Sequence, residues 1–280
     1  MTAASPAGTQ AQTFTGIDYP GAAETRAHGI NDQGDIVGFY RTTPGGAFHG
    51  YVRTSQGAFS TIDVPGASET RPQAISASGD IVGDFADGSG THAFLHRKTD
   101  GTFTTFDVQG AGTTVAFGIN SQGDIGGAYG TGGVFHGFVK SADGAASTID
   151  FPGAASTTAA VVNERGDITG AYMDGTGVLH GYFRLARDGV FVSFDPAGTA
   201  GTEGHAINDR GQILGNECLD PSCAAGGPHV LLRLTDGTFV SIDYPGAVAT
   251  VAGWINNSGL IVGDYFDATL TRHGFLRGRQ

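Results

Sequence analysis

The sequence predicts an all-β protein folded as a six-bladed β-propeller, and three observations predict it. A short phrase ending in Asp recurs six times, at Ile17-Asp18, Ile62-Asp63, Phe106-Asp107, Ile149-Asp150, Phe194-Asp195 and Ile242-Asp243. Its Asp positions are 45, 44, 43, 45 and 48 residues apart, so one repeat fills the chain. The 280 residues include 48 Gly without a collagen period, set among alternating apolar residues, as short strands joined by tight turns require. Finally, the chain opens with a lone fourth strand (14–18) and closes after a third strand (273–277), so each end supplies what the other lacks.

The first complete copy shows the elements in order. A first strand ends at Ile30-Asn31. Asn31-Asp32-Gln33-Gly34 is a turn, with Gly34 free to take positive φ. Residues 35–40 and 48–53 read as the second and third strands. A turn at Gln56-Gly57 leads into a fourth strand over 59–63, and Pro65-Gly66 ends pairing. Four antiparallel strands per repeat make a propeller blade, whereas a solenoid coil would be shorter and helical repeats would show a 3.6-residue period. The N-terminal strand is expected to complete the last blade and close the ring, which removes exposed edges. The expected organisation is one domain over 14–280 behind a polar tail, 1–13.

One tripeptide position reads His49-Gly50-Tyr51, His92-Ala93-Phe94, His136-Gly137-Phe138, His180-Gly181-Tyr182, His229-Val230-Leu231 and His273-Gly274-Phe275. Together with phrases such as Gly29-Ile30-Asn31-Asp32, this pattern resembles the HAF family of bacterial extracellular repeats over residues 14–277. The resemblance implies an exported propeller, secreted or periplasmic, and no defined chemistry.

The net charge of −12 and only two lysines argue against a nucleic-acid surface. No stretch approaches the length of a membrane-spanning helix. Cys218 and Cys223 read as a local disulfide, which would fit an oxidising compartment, with two free thiols as the alternative. A monomer is expected.

The repeat also acts as an internal control. Residues present in every copy read as scaffold. The six repeat His residues are expected to be buried rings bonded to backbone, not metal ligands, since one ion cannot span separate blades. The six phrase Asp residues are expected to accept backbone N–H groups at turns. Thr25, Thr70, Thr114, Thr157, Thr202 and Thr250 form a third constant column. Asn31, Asn120, Asn163, Asn208 and Asn256 cap the first hairpin, with Ser76 in the second copy.

Function is sought where copies differ. One column of the first strand reads Arg26, Arg71, Val115, Thr158, Glu203 and Val251; another reads His28, Gln73, Phe117, Ala160, His205 and Gly253. The end of the second strand reads Tyr40, Phe85, Tyr129, Tyr172, Glu217 and Tyr265. These columns nominate His28, His205, Glu217, Arg26 and Arg71 as acid–base or anion-binding groups. They nominate Gln73, Phe117, Glu203, Tyr40, Tyr129, Tyr172, Tyr265 and the single Trp254 as ligand contacts. The bland alternatives are inter-blade packing for the aromatics, drift for Glu217, and Glu24–Arg26 and Glu69–Arg71 surface pairs. The expected function is one asymmetric site at the channel mouth for a small molecule or carbohydrate, in a cofactor-independent lyase, hydrolase or isomerase. The alternative is a lectin-like or protein-interaction propeller. No cofactor is expected, with one channel metal ion as the minor alternative.

Overall fold

The computed structural model describes residues 13–220 and 227–278. Among them are 24 strands and no helix. The strands form four four-stranded sheets and one eight-stranded sheet. In the first sheet the strands Glu24–Ile30, Ile36–Arg41, His49–Arg53 and Phe59–Ile62 pair antiparallel in chain order. Each boundary falls within about a residue of the sequence reading, as strand ends generally do. The turn after the first strand is closed by the Asn31 side chain, whose Oδ1 accepts the N–H groups of Gln33 and Asp35 at 3.1 and 2.9 Å; Gly34 has φ +85°.

The sequence predicts six separate sheets, and the structure has five. A single parallel bridge between Thr91 and Thr113 joins two successive four-stranded runs into the eight-stranded sheet. At two other junctions the edges meet through one bond, Thr70 N–H to Phe48 O and Thr250 N–H to Pro228 O, both 3.0 Å. There the sheets stay separate.

The N-terminal strand Thr13–Ile17 pairs antiparallel with Arg272–Gly278, from Thr13 opposite Gly278 to Ile17 opposite Gly274. It therefore completes the sheet formed by the last repeat. The predicted tail lies outside the described residues apart from Thr13.

Every first strand carries a β-bulge at the same place, at His28, Gln73, Phe117, Ala160, His205 and Gly253. A bulge leaves one residue unpaired and re-aims its side chain. The glycine of the Ile-Val-Gly phrase makes room for it. A Cβ on Gly38, Gly83, Gly127, Gly170, Gly215 or Gly263 would collide with the carbonyl oxygen of Arg26, Arg71, Val115, Thr158, Glu203 or Val251, respectively. The constant glycine thus permits the variable residue beside it.

Two constant columns serve as scaffold. The buried Thr hydroxyls of five copies accept a backbone N–H six residues upstream, from Tyr19, Val64, Val108, Phe151 and Tyr244, at 3.0–3.1 Å. In the fifth copy that residue is Pro196, which has no N–H, and Thr202 turns to Thr199 at 3.4 Å. The Asn residues do more than cap their own hairpins. Asn31, Asn120, Asn163, Asn208 and Asn256 each donate from Nδ2 to the carbonyl at the same position of the next unit, on Ser76, Asn163, Asn208, Asn256 and Asn31. Ser76 is too short to continue the relay to Asn120; its Oγ still accepts Asp80 N–H at 3.0 Å.

The repeat His and phrase Asp depart from expectation. The His rings are partly exposed and bond to the Asp side chains rather than to backbone. The pairs are His49–Asp63, His92–Asp107, His136–Asp150, His180–Asp195, His229–Asp243 and His273–Asp18, each through Nδ1 at 2.8–3.0 Å. Strand register explains this: Gly50 pairs with Ile62, so His49 and Asp63 are the next residues along the same hairpin. Asp63 and Asp243 also accept backbone N–H groups, from Gly50 and Val230.

Candidate functional site

On the bulge side of the first strands lies a cavity of about 230 Å³. Its wall includes His28, Gln73, Phe117, Glu203, His205 and Trp254, with Thr158 and Ala171 beside them. The bulge column and part of the neighbouring variable column therefore converge, as the internal comparison of copies predicts. Ionisable and amide groups come from the first, second and fifth copies, aromatic walls from the third and sixth, and Thr158 and Ala171 from the fourth.

Trp254 forms the floor. Its counterparts are Gly29, Ala74, Gly118, Val161 and Ala206, all smaller. The indole packs against buried residues of several sheets and reaches the third copy, where a Cβ on Gly118 would stand 3.2 Å from Trp254 Cη2. Beyond it lies a smaller space of about 70 Å³, lined by Trp254, the anchor aliphatics and the Asn relay.

His205 is held from two sides. Its Nε2 lies 3.0 Å from Glu203 Oε2 and 3.0 Å from Asn216 Nδ2. The Asn216 amide is oriented by its Oδ1, which accepts Ala252 N–H at 2.8 Å, so its NH2 faces His205 and Glu203. A proton on Nε2 can be donated to Glu203; Asn216, which can only donate from Nδ2, then bonds the same carboxylate and not Nε2. Nδ1 is then the ring's lone-pair nitrogen. Burial pushes the Glu203 carboxyl up, but hydrogen bonds from His205 and Asn216 and the His205 charge outweigh it and hold the group below its ordinary range.

His28 is supported differently. Burial, then the nearby charges of Arg272, Arg26 and His205, hold its imidazole well below its ordinary range, against a weaker opposing bond with Gln73. It is a neutral ring at neutral pH, packed on Phe39 at 4.8 Å between centroids. Gln73 is fixed by donating to Asp84 Oδ1 at 2.9 Å. Asp84 is buried beside Arg71, 3.3 Å from Oδ2; burial raises its carboxyl above the ordinary range, against the pull of Arg71. Asp264 is buried likewise. Its Oδ2 accepts Arg272 Nε and Nη2 at 3.0 and 2.6 Å, and its Oδ1 accepts Ala27 N–H at 2.8 Å, next to the His28 bulge.

Several nominated residues lie elsewhere. Glu217 points away from His205, because it follows Asn216 on a strand and successive side chains take opposite faces. It pairs in register with His229, and burial raises its carboxyl, with His229 pulling it down. Tyr40, Tyr172 and Tyr265 stack on Tyr19, Phe151 and Tyr244 at 3.6–3.7 Å, and Tyr129 stacks on His136 at 5.2 Å. They are packing residues outside the cavity. In the fifth copy Glu217 and Pro196 replace both members of this stack, so the Glu217 anomaly is local repacking. Arg26 and Arg71 do not line the cavity. Arg26 bonds Glu24 at 2.7 Å and lies over Phe48; Arg71 bonds Glu69 at 2.6 Å. The anion-binding role expected of these two residues is not seen at the cavity, because each guanidinium already has a carboxylate.

Asp84, Asn216 and Asp264 are the functional neighbours that the sequence reading passes over. Their column reads Phe39, Asp84, Ala128, Ala171, Asn216 and Asp264, and its variability beside the constant glycine was the available signal. Cys218 is disulfide-bonded; Cys223 lies outside the described residues. Among the described residues, no three His, Cys, Asp or Glu side chains are grouped to hold a metal ion, and no helix is long and apolar enough to cross a membrane.

No family model and no curated protein matches the chain. Solved structures do. A streptogramin B lyase structure matches with TM-score 0.51 at 12% identity, covering 96% of this chain and 98% of that one. The Aleuria aurantia lectin, in complex with Fucα1-6GlcNAc, matches with TM-score 0.55 at 12% identity over 91% of each chain. The β-propeller domain of the Trilobed protease from Pyrococcus furiosus matches with TM-score 0.54 at 10% identity, covering 91% and 97%. At these identities the likeness concerns the fold: the chain has an all-β, β-propeller arrangement.

Proposed function

We propose that the chain is an exported propeller of six blades, closed into a ring, whose central cavity carries out proton transfer on one small molecule. The six-blade reading counts the eight-stranded sheet as two blades. It is supported by the Asn relay, which links successive copies everywhere except from Ser76 to Asn120 and returns from Asn256 to Asn31 at 3.0 Å. Pairing of the first strand with the last supports the same closure. Export is supported by the Cys218 disulfide and by the resemblance to extracellular repeats.

One observation carries the functional reading: two imidazoles with opposite support line one cavity. His28 is kept neutral and suits a base. His205, with its Nε2 proton facing Glu203, presents the Nδ1 lone pair and suits the partner that takes up a proton at Nδ1 and returns it. A lyase or isomerase that removes a proton at one carbon and returns one elsewhere needs this pair and no organic cofactor. The lining favours a single site over lectin-like repetition, since no two copies present the same set. The comparisons include both a lyase and a lectin, and either is compatible with the fold.

The test is turnover in deuterium oxide against a panel of single-ring carbonyl and hydroxy compounds, read by NMR as solvent deuterium entering the compound. His28→Gln and His205→Gln should each abolish exchange of a compound the wild type labels. Undiminished exchange in both variants would overturn the acid–base assignment.

A further inference from the structure

The floor of the cavity carries information about what it accepts. Among the six equivalent positions only Trp254 is large, and it lies between the cavity of about 230 Å³ and the smaller space, lining both. The site is therefore a cup that opens on one side, and a ligand cannot thread through it. Its volume is that of roughly seven or eight waters, enough for one ring and its substituents. The indole floor and the Phe117 wall offer aromatic faces; Gln73, His28 and His205 offer hydrogen-bonding edges. Among the described residues, the only carboxylate in the lining is Glu203. The charges of the nearby arginines are balanced by carboxylates: Arg26 and Arg41 share Glu24, Arg71 pairs with Glu69 and Asp84, and Arg272 pairs with Asp264.

From this we infer that Trp254 is the specificity-determining floor of the cup, and that the ligand is an uncharged or cationic single-ring molecule lying on the indole, with carboxylates rejected by Glu203. The inference rests on the cavity being a ligand site, as proposed above, but not on catalysis there. Trp254 is the chain's sole tryptophan, so its emission reports the floor alone.

The experiment titrates the full chain at neutral pH and low salt with three probes sharing one ring: benzyl alcohol, benzylamine and benzoate. Trp254 emission reads the floor, and saturation-transfer NMR reads the probe's ring protons. The alcohol and the amine should change the emission saturably. Benzoate should bind at least about tenfold more weakly, the size expected for a like charge about 6 Å away in a partly screened site. Glu203→Gln, which keeps the volume, should bring benzoate to within about twofold of the alcohol. Equal binding of all three by the wild type, or the same benzoate deficit in Glu203→Gln, would overturn the charge assignment. Saturation transfer without any response of Trp254 would overturn the floor. Emission changes that only rise linearly, with no saturation transfer, would overturn both. Deuterium exchange lost in the His28 variant with all three probes bound equally would leave the proton-transfer reading standing and sink this one alone.

Discussion

Replacing Asp264 by Ala should unfold the junction between the last and first copies more easily than its single carboxylate suggests. Asp264 is almost fully buried and holds two things at once: the Arg272 guanidinium through Oδ2 and the Ala27 N–H through Oδ1. Removing it strands a guanidinium that is itself mostly buried, and a backbone donor with no nearby acceptor. Breaking a buried ion pair from one side costs about 3–5 kcal/mol. Losing the acceptor for a buried N–H adds about 1–3 kcal/mol. The two share one site and will not add fully, so a loss of about 4 kcal/mol is expected. Urea unfolding followed by Trp254 emission and by circular dichroism measures it. Asp264→Asn keeps an oxygen for Ala27 and should lose less than the Ala variant. Asp264→Asn combined with Arg272→Met removes both charges and should recover much of the difference, because the pair's own net contribution is small. An Ala variant within about 1 kcal/mol of wild type would refute the reasoning that this carboxylate anchors the bulge bearing His28.

Two other outcomes follow from the scaffold and the site. Ser76→Asn supplies the missing side chain of the relay, within reach of Asn120 O, and should raise stability by about 0.5–1.5 kcal/mol in the same urea assay, with no gain counting against the relay. His28 also makes stability depend on pH with a definite sign. Its folded-state pKa lies below the unfolded value near 6.5, so the unfolded chain takes up the proton first as pH falls. Its contribution is full above about pH 6.5 and is lost below it, at up to about 1.4 kcal/mol per pH unit, until the folded pKa is reached. His92 and His180, raised above their ordinary range, act the other way and lose their contribution as pH rises through their folded values. Urea midpoints of wild type and His28→Gln at pH 5, 6 and 7 should therefore diverge on the acid side; parallel curves would contradict a His28 held neutral.

Much of this was legible in the sequence because the chain carries six versions of each position. Constant columns proved to be turn closures, Thr and Asn bonds and His–Asp pairs. The column at His28 and His205 stood out against them and does line the cavity. Errors arose where the face of a strand mattered. Glu217 broke a constant aromatic column and drew notice, yet Asn216, one residue earlier, is the side chain on the site's face. The bulge also obscured the face, since it interrupts period-2 alternation between Ala27 and Gly29 and only pairing register reveals it. Arg26 and Arg71 had partners two residues upstream in plain view at Glu24 and Glu69, and both pairs form, although Glu24 is buried rather than at the surface. The role of Trp254 needed three dimensions, because its size matters only where the equivalent residues Gly29, Ala74 and Gly118 leave it space.

The most direct measurement is the side-chain nitrogen spectrum of His28 and His205 across pH, assigned with His28→Gln and His205→Gln. The account predicts that His28 stays neutral through the ordinary imidazole range around pH 6.5, while neutral His205 carries its proton on Nε2, toward Glu203. A His28 that titrates as a free imidazole, or a His205 protonated on Nδ1 with a bare Nε2 facing the carboxylate, would contradict the two-imidazole site.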